Sequence, residues 1–190
     1  MLRCLKCVLW GVAVIAIAIY AGTTAERWIS QAYLNWEFAK ALEAPVVAGP
    51  PDTKIPESLQ PLGRLEIPSI GLSAVFIEGA DNRTLRRGIG HIPGTALPGT
   101  VGDVALSAHR DTFFRRLGEL SNGDAIWITT LRGRYKYVVE SSQIIEVDQG
   151  LTVRKIGPPT LTLVTCYPFY YVGPAPKRFI VHAALSVAGS

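Results

Sequence analysis

Three residues in this chain sit where a rigid element could hold a reactive group at a surface. His109, Cys166 and Arg178 each begin or end an apolar run. The run VALSAHR brings His109 to the exit of one candidate strand, directly after Ala108. LTLVTCYP brings Cys166 to the exit of a second, between Thr165 and Tyr167, and KRFIVHAAL opens a third at Arg178. A cysteine nucleophile needs a partner that manages protons, and its attack on a carbonyl needs a donor or cation where the oxygen gains charge. Histidine and arginine suit those two tasks. Each residue also has a structural reading: His109 could cap a strand, Cys166 could fill core as a small hydrophobe, and Arg178 could be a solvated surface charge.

Cysteine placement sharpens the case for Cys166. Residues Cys7 to Ala25 carry no charge and match the ~20 apolar residues that a helix needs to cross a bilayer. Arg3 and Lys6 precede this run, whereas Glu26 and Arg27 cancel after it, so charge asymmetry places the N-terminus in the cytoplasm and the rest outside. Residues 1–25 therefore read as a cytoplasmic edge and a single-pass signal-anchor. The small residues Ala21, Gly22, Thr23 and Ala25 offer a cleaved signal peptide as the competing reading. Cys4 and Cys7 lie at the cytoplasmic edge, where a zinc site lacks its further ligands and acylation, or no role, fits better. Cys166 is then the lone cysteine of the exported part, an unpaired thiol in an oxidising compartment.

The elements that position these residues follow from pattern. Between Glu26 and Ala44, Trp28, Ile29, Ala32, Tyr33, Trp36, Ala39 and Leu42 recur at helical spacing, an amphipathic juxtamembrane helix that could rest on the bilayer or on the domain. The proline-rich stretch 45–61 reads as a linker. The domain, 62–190, is mostly strand. Runs at Arg64–Ile67, Leu72–Glu78, Val104–Ala108, Ala125–Leu131, Tyr135–Glu140, Gln143–Val147, Leu161–Cys166 and Phe179–Leu185 give about eight strands, with helical turns near Asn82–Arg87 and Thr112–Leu117. Many short strands imply a barrel or a sandwich. Hydrophobic residues make up 48% of the chain, enough for one real core, and the net charge of +4 is scattered without basic runs, which argues against nucleic acid as a partner.

The segment TLVTC from Thr162 to Cys166, followed by Arg178 in PKRFIV and preceded by SAHRD around His109, resembles the sortase signature in type and order. The resemblance extends over roughly Leu62–Leu185, and the residues flanking Cys166 and His109 are most similar to class D sortases. It implies a closed β-barrel of about eight strands with short helices, behind an N-terminal transmembrane helix. It implies Cys166, His109 and Arg178 as catalytic residues, with Thr165, Ala108 and Tyr167 as substrate-binding or supporting neighbours. It further implies a cysteine transpeptidase that cleaves a Leu-Pro-x-Thr-Gly-like sorting signal between Thr and Gly and passes the acyl group to an amine of the cell wall or of a pilin. No cofactor is implied.

Other polar residues carry less. His91 in a Gly/Pro loop and His182 inside the last strand suit structural roles, and Asp111 could either orient His109 or cap a turn. Glu78, Asp81, Asp103, Glu146 and Asp148 are scattered and form no calcium-loop pattern, so no metal is expected. Tyr167, Phe169, Tyr170 and Tyr171 could line a peptide groove or pack the loop. Two competing functions remain: an L,D-transpeptidase-like cysteine enzyme, which would hold His and Cys close together in sequence, and a non-enzymatic membrane-tethered β domain.

Overall fold

The computed structural model describes residues 2–43, 60–149, 157–171 and 173–188; most of the 45–61 linker lies outside them. The described strands are β1 (Pro61–Ile67), β2 (Leu72–Glu78), β3 (Ile89–His91), β4 (Asp103–Ser107), β5 (Ala125–Thr130), β6 (Gly133–Glu146), β7 (Thr160–Tyr167) and β8 (Lys177–Ala188). They close into a barrel in the order β1-β2-β3-β4-β7-β8-β6-β5. Pairing is parallel between β2 and β3 and between β4 and β7, and antiparallel elsewhere.

Alternation along the strands sorts side chains to the two faces of the wall. Val104, Leu106 and Ala108, Leu161 and Leu163, and Phe179, Val181 and Ala183 all belong to the barrel core. The residues between them, among them Asp103, Thr162, Val164 and Ile180, therefore lie on the outside. Several of these outward residues are still buried.

Two strand expectations change. The segments read as Tyr135–Glu140 and Gln143–Val147 are one strand, β6, whose pairing with β8 absorbs register shifts at Lys136/Tyr137 and Val139/Ser141. The Gly/Pro loop around His91 contains β3, where Gly90 pairs with both Ile77 and Ser107. His91 is buried there, with Nδ1 2.6 Å from Glu78 Oε2 and Nε2 2.9 Å from the Ala96 carbonyl. The helical turn expected at Asn82–Arg87 is α2 (Asn82–Arg87), capped by Asp81, whose carboxylate accepts from the amide and hydroxyl of Thr84 and from the amide of Arg83 and is thereby held below its ordinary pKa. At Thr112–Leu117 the chain forms successive turns ending in a 3-10 turn at Leu117–Glu119.

The anchor and the juxtamembrane helix are continuous: α1 (Leu2–Glu43) runs through both. It is the one described helix long and apolar enough to cross a membrane. Leu9, Trp10, Val12, Ile15, Ile17 and Ile19 are exposed on it with no protein against them. Its second half packs on the barrel through a different face from the predicted stripe. Leu34 and Phe38 are buried against Val75 and Ile77, while Trp28 and Trp36 stay exposed. Gln31 accepts from the Val75 amide at 3.0 Å and donates to the carbonyls of Val75 and Arg87, completing the edge of β2 where β3 has not yet begun.

Inside the barrel the Tyr137 hydroxyl is buried without a hydrogen bond of good geometry. Burial pushes its pKa up to about 12; a backbone contact at Gly99 opposes this, and Tyr135 and Asp103 add smaller upward effects. Below the unfolded tyrosine pKa of about 10 both states keep the proton, and above it the unfolded chain releases first, so stability falls as pH rises towards about 12. Tyr137→Phe removes that loss. Urea denaturation of the full chain in non-ionic detergent should therefore show the variant gaining about 2–3 kcal/mol on the wild type between pH ~10 and ~12, with a small difference near neutrality.

Candidate active site

The site is a row across three neighbouring chain segments. Parallel pairing of β4 with β7 sets Ser107 opposite Val164, and the Ala108 amide still donates to the Val164 carbonyl at 3.3 Å. Continued two residues past that last pair, the same register leads His109 towards the level of Cys166. On the other side of β7, antiparallel pairing sets Cys166 directly opposite Arg178. Neighbouring strands lie about 4.8 Å apart, so the row spans roughly 10 Å. Cys166 and Arg178 alternate with the core residues Thr165 and Phe179, and His109 follows core Ala108, which assigns the row to the outer face of the barrel.

None of the three functional groups is consumed by the fold. Among the described residues the His109 imidazole and the Cys166 thiol make no hydrogen bond, and the Arg178 guanidinium reaches only the neighbouring Lys177 carbonyl, at 3.2 Å. All three are half-buried. Lys177 is paired to Glu146 at 2.8 Å, and that hydrogen bond, more than the charge attraction, raises its pKa; the adjacent Arg178 has no such ion pair. The arrangement offers a nucleophile, a proton carrier and a fixed positive charge along one line.

The supporting residues hold that line. Thr165 is buried and donates to the Ala108 carbonyl at 2.7 Å, so its hydroxyl ties the end of β4 to β7. Ala108 thereby becomes the anchor on which His109 hangs. Beyond it, the His109 carbonyl accepts from the amides of Thr112 and Phe114, which folds the next turn back beneath the histidine. Asp111 is exposed and makes no hydrogen bond or ion pair.

The aromatic loop divides in two. Tyr167 and Phe169 pack on Phe179 and the core, with ring centroids 6.3 and 5.4 Å from it. Phe169 also covers Gly118, where a Cβ would come within 2.6 Å of its ring. Tyr170 and Tyr171 face solvent.

Two contributors carried no functional signal in the sequence. Arg110 donates to the carbonyls of Tyr171 and Gly173 at 2.7 and 3.0 Å, fastening the β7–β8 loop beside the histidine. Asp103, one of the scattered carboxylates, accepts from Thr160 and Thr162 at 2.9 and 2.7 Å; Thr162 also meets His182 Nδ1 at 3.2 Å. Glu78, Asp81 and Glu146 likewise have protein partners. Among the described residues no group of three His, Cys, Asp or Glu side chains could hold a metal ion.

A family model described as the sortase domain matches residues 65–186. The chain is 40% identical over 128 residues to Sortase D of Bacillus subtilis (strain 168), an alignment covering 67% of this chain and 65% of that protein. It is 26% identical over 126 residues to Sortase A of Bacillus anthracis, covering 64% of this chain and 58% of that one. The match thus spans less than two thirds of either relative. The fold is similar to that of a Clostridium perfringens Sortase D5 transpeptidase, with a TM-score of 0.72 at 24% identity over 86% of this chain and 99% of that one.

Thr165→Val keeps the side-chain shape but strands the buried Ala108 carbonyl. Denaturation should show a loss of about 1–3 kcal/mol, and hydrogen exchange should quicken at the amides of Thr112 and Phe114, which depend on the neighbouring His109 carbonyl. Thr165→Ser, which retains the hydroxyl, should recover most of both.

Proposed function

The chain belongs to the sortase family and is most like its class D branch, and on that premise we propose that it is a membrane-anchored cysteine transpeptidase acting on Leu-Pro-x-Thr-Gly-like sorting signals. The observation that carries this reading is the shared register of His109, Cys166 and Arg178, three groups left without competing partners. A nucleophile, an acid-base and an oxyanion donor in one row are what acyl transfer through a thioester requires.

In this mechanism the Cys166 thiolate attacks the Thr carbonyl carbon, and Arg178 donates to the oxygen as it gains charge. His109 then protonates the glycine nitrogen, the C–N bond breaks, and the acyl group remains on Cys166 Sγ. An incoming amine, from a cell-wall cross-bridge or a pilin lysine, attacks the thioester and gives its proton to His109. The C–S bond breaks, the thiolate returns, and an amide has been exchanged for an amide without ATP. Positioning matters more here than any single charge, because the nucleophile, the acid and the carbonyl must meet in one geometry.

The apolar half of α1 supports anchoring. Its exposed Leu, Ile, Val and Trp side chains have no protein surface to cover them, whereas a bilayer would. Arg3 and Lys6 before the apolar run support a cytoplasmic N-terminus, with the barrel on the outer side within reach of surface proteins.

A quenched Leu-Pro-x-Thr-Gly peptide library with an added amine acceptor tests the activity. The wild type should release fragments cut between Thr and Gly and yield acceptor-linked product. Cys166→Ala should lose both, and Arg178→Ala should lower kcat/KM by about 10²-fold or more. Cleavage by Cys166→Ala at the wild-type rate would overturn the mechanism.

A further inference from the structure

We propose that the groove between α1 and the barrel binds the headgroup of an anionic phospholipid from the membrane that holds α1. The groove has a volume of about 580 Å³, within the range of small-molecule sites. Its walls are Arg27 and Trp28 of α1, Leu72 of β2, and Phe113, Arg115 and Arg116 from the turns after His109.

The charge on these walls has one sign. Three arginines line the groove and no carboxylate does. Arg116 is partly spoken for, with Glu119 at 2.7 Å and the Ile70 carbonyl at 2.8 Å. Arg27 reaches only the Thr24 hydroxyl, at 3.5 Å, and Arg115 has no ion pair. Two guanidiniums are therefore open to an anion, and a phosphodiester is matched by their planar forks.

Location selects the lipid over a free anion. Arg27 follows the apolar run by two residues, about 3 Å along a helix axis, so the mouth of the groove lies at the level of the headgroups. Trp28 is exposed beside it, as aromatic residues at a membrane interface are. Leu72, Phe113 and the Trp28 ring offer apolar surface to a glycerol backbone and upper acyl chain, which inorganic phosphate lacks. Occupancy has a consequence for the site: Phe113 lies in the turn held by the His109 carbonyl, so a bound lipid steadies the segment that positions the histidine.

This proposal rests on α1 being the membrane anchor, and the test separates the two. Full-length protein in non-ionic detergent is equilibrated with equal amounts of phosphatidylglycerol and phosphatidylcholine, or with inorganic phosphate, and retained ligand is read by native mass spectrometry. One phosphatidylglycerol per chain is expected, retained about tenfold less by Arg27→Ala/Arg115→Ala. Hydrogen exchange should slow at residues 70–73 and 112–116 when the lipid is present. Equal retention of phosphatidylcholine, equal retention of inorganic phosphate, or an unchanged double variant overturns the site. Alkaline carbonate extraction of membranes scores the anchor separately: a chain that washes off overturns the anchor, while retention in detergent still decides the groove.

Discussion

The parallel register between β4 and β7 governs the chemistry available to this molecule. Parallel neighbours cannot be joined by a tight turn, so this pairing is made by chain segments distant in sequence and is fixed by side chains as well as by the ladder. Asp103 accepts from Thr160 and Thr162 at one end, and Thr165 donates to Ala108 at the other. A slip of one residue would turn Cys166 into the core and Thr165 outward, because side chains alternate with a period of two. The hydrophobic alternation of Leu161 and Leu163 opposes the same slip. Core packing and the polar ties thus enforce one alignment, and that alignment sets His109 beside Cys166.

The remainder of the barrel protects that alignment. β8 crosses from Cys166 to β6 and supplies Arg178 by direct pairing, while the aromatic contacts of Tyr167, Phe169 and Phe179 seat the β7–β8 loop on the core. Arg110 fastens the outer part of the same loop to the segment that carries His109. The functional groups themselves stay uncommitted, unlike the buried hydroxyls of Thr162 and Thr165 beside them. Buried polar groups are held by hydrogen bonds, and groups free of such bonds remain available for a reaction. α1 packs Leu34 and Phe38 on Val75 and Ile77 of β2 and so ties its apolar first half to the barrel.

What was legible in the sequence was local. Alternating Val, Ile, Leu and Thr marked β2, β4, β5 and β7 within one residue at each end, and the TLVTC, SAHRD and PKRFIV segments marked candidate site residues, since each depends on neighbours along the chain. What was not legible depended on partners far away. β3 is three residues long with a central glycine, and it exists because β2 and β4 supply ladders on both sides. Ser141 and Ser142 read as a break between two strands; in the fold they are exposed residues of one long strand carried by β8. The helix buries Leu34 and Phe38 in preference to its tryptophans, a choice made by the surface of β2 and by the Gln31 amide bonds. The commitment of the Thr165 hydroxyl to Ala108 and the basic groove at Arg27 likewise require the tertiary structure.

Thioester transfer through Cys166 depends most directly on an acyl-enzyme. Full-length protein incubated briefly with a Leu-Pro-x-Thr-Gly peptide, quenched in acid and examined by intact mass and peptide mapping should carry the acyl fragment on Cys166 as a hydroxylamine-labile thioester. Peptide cleavage with no adduct, or with the acyl group on another residue, would contradict it.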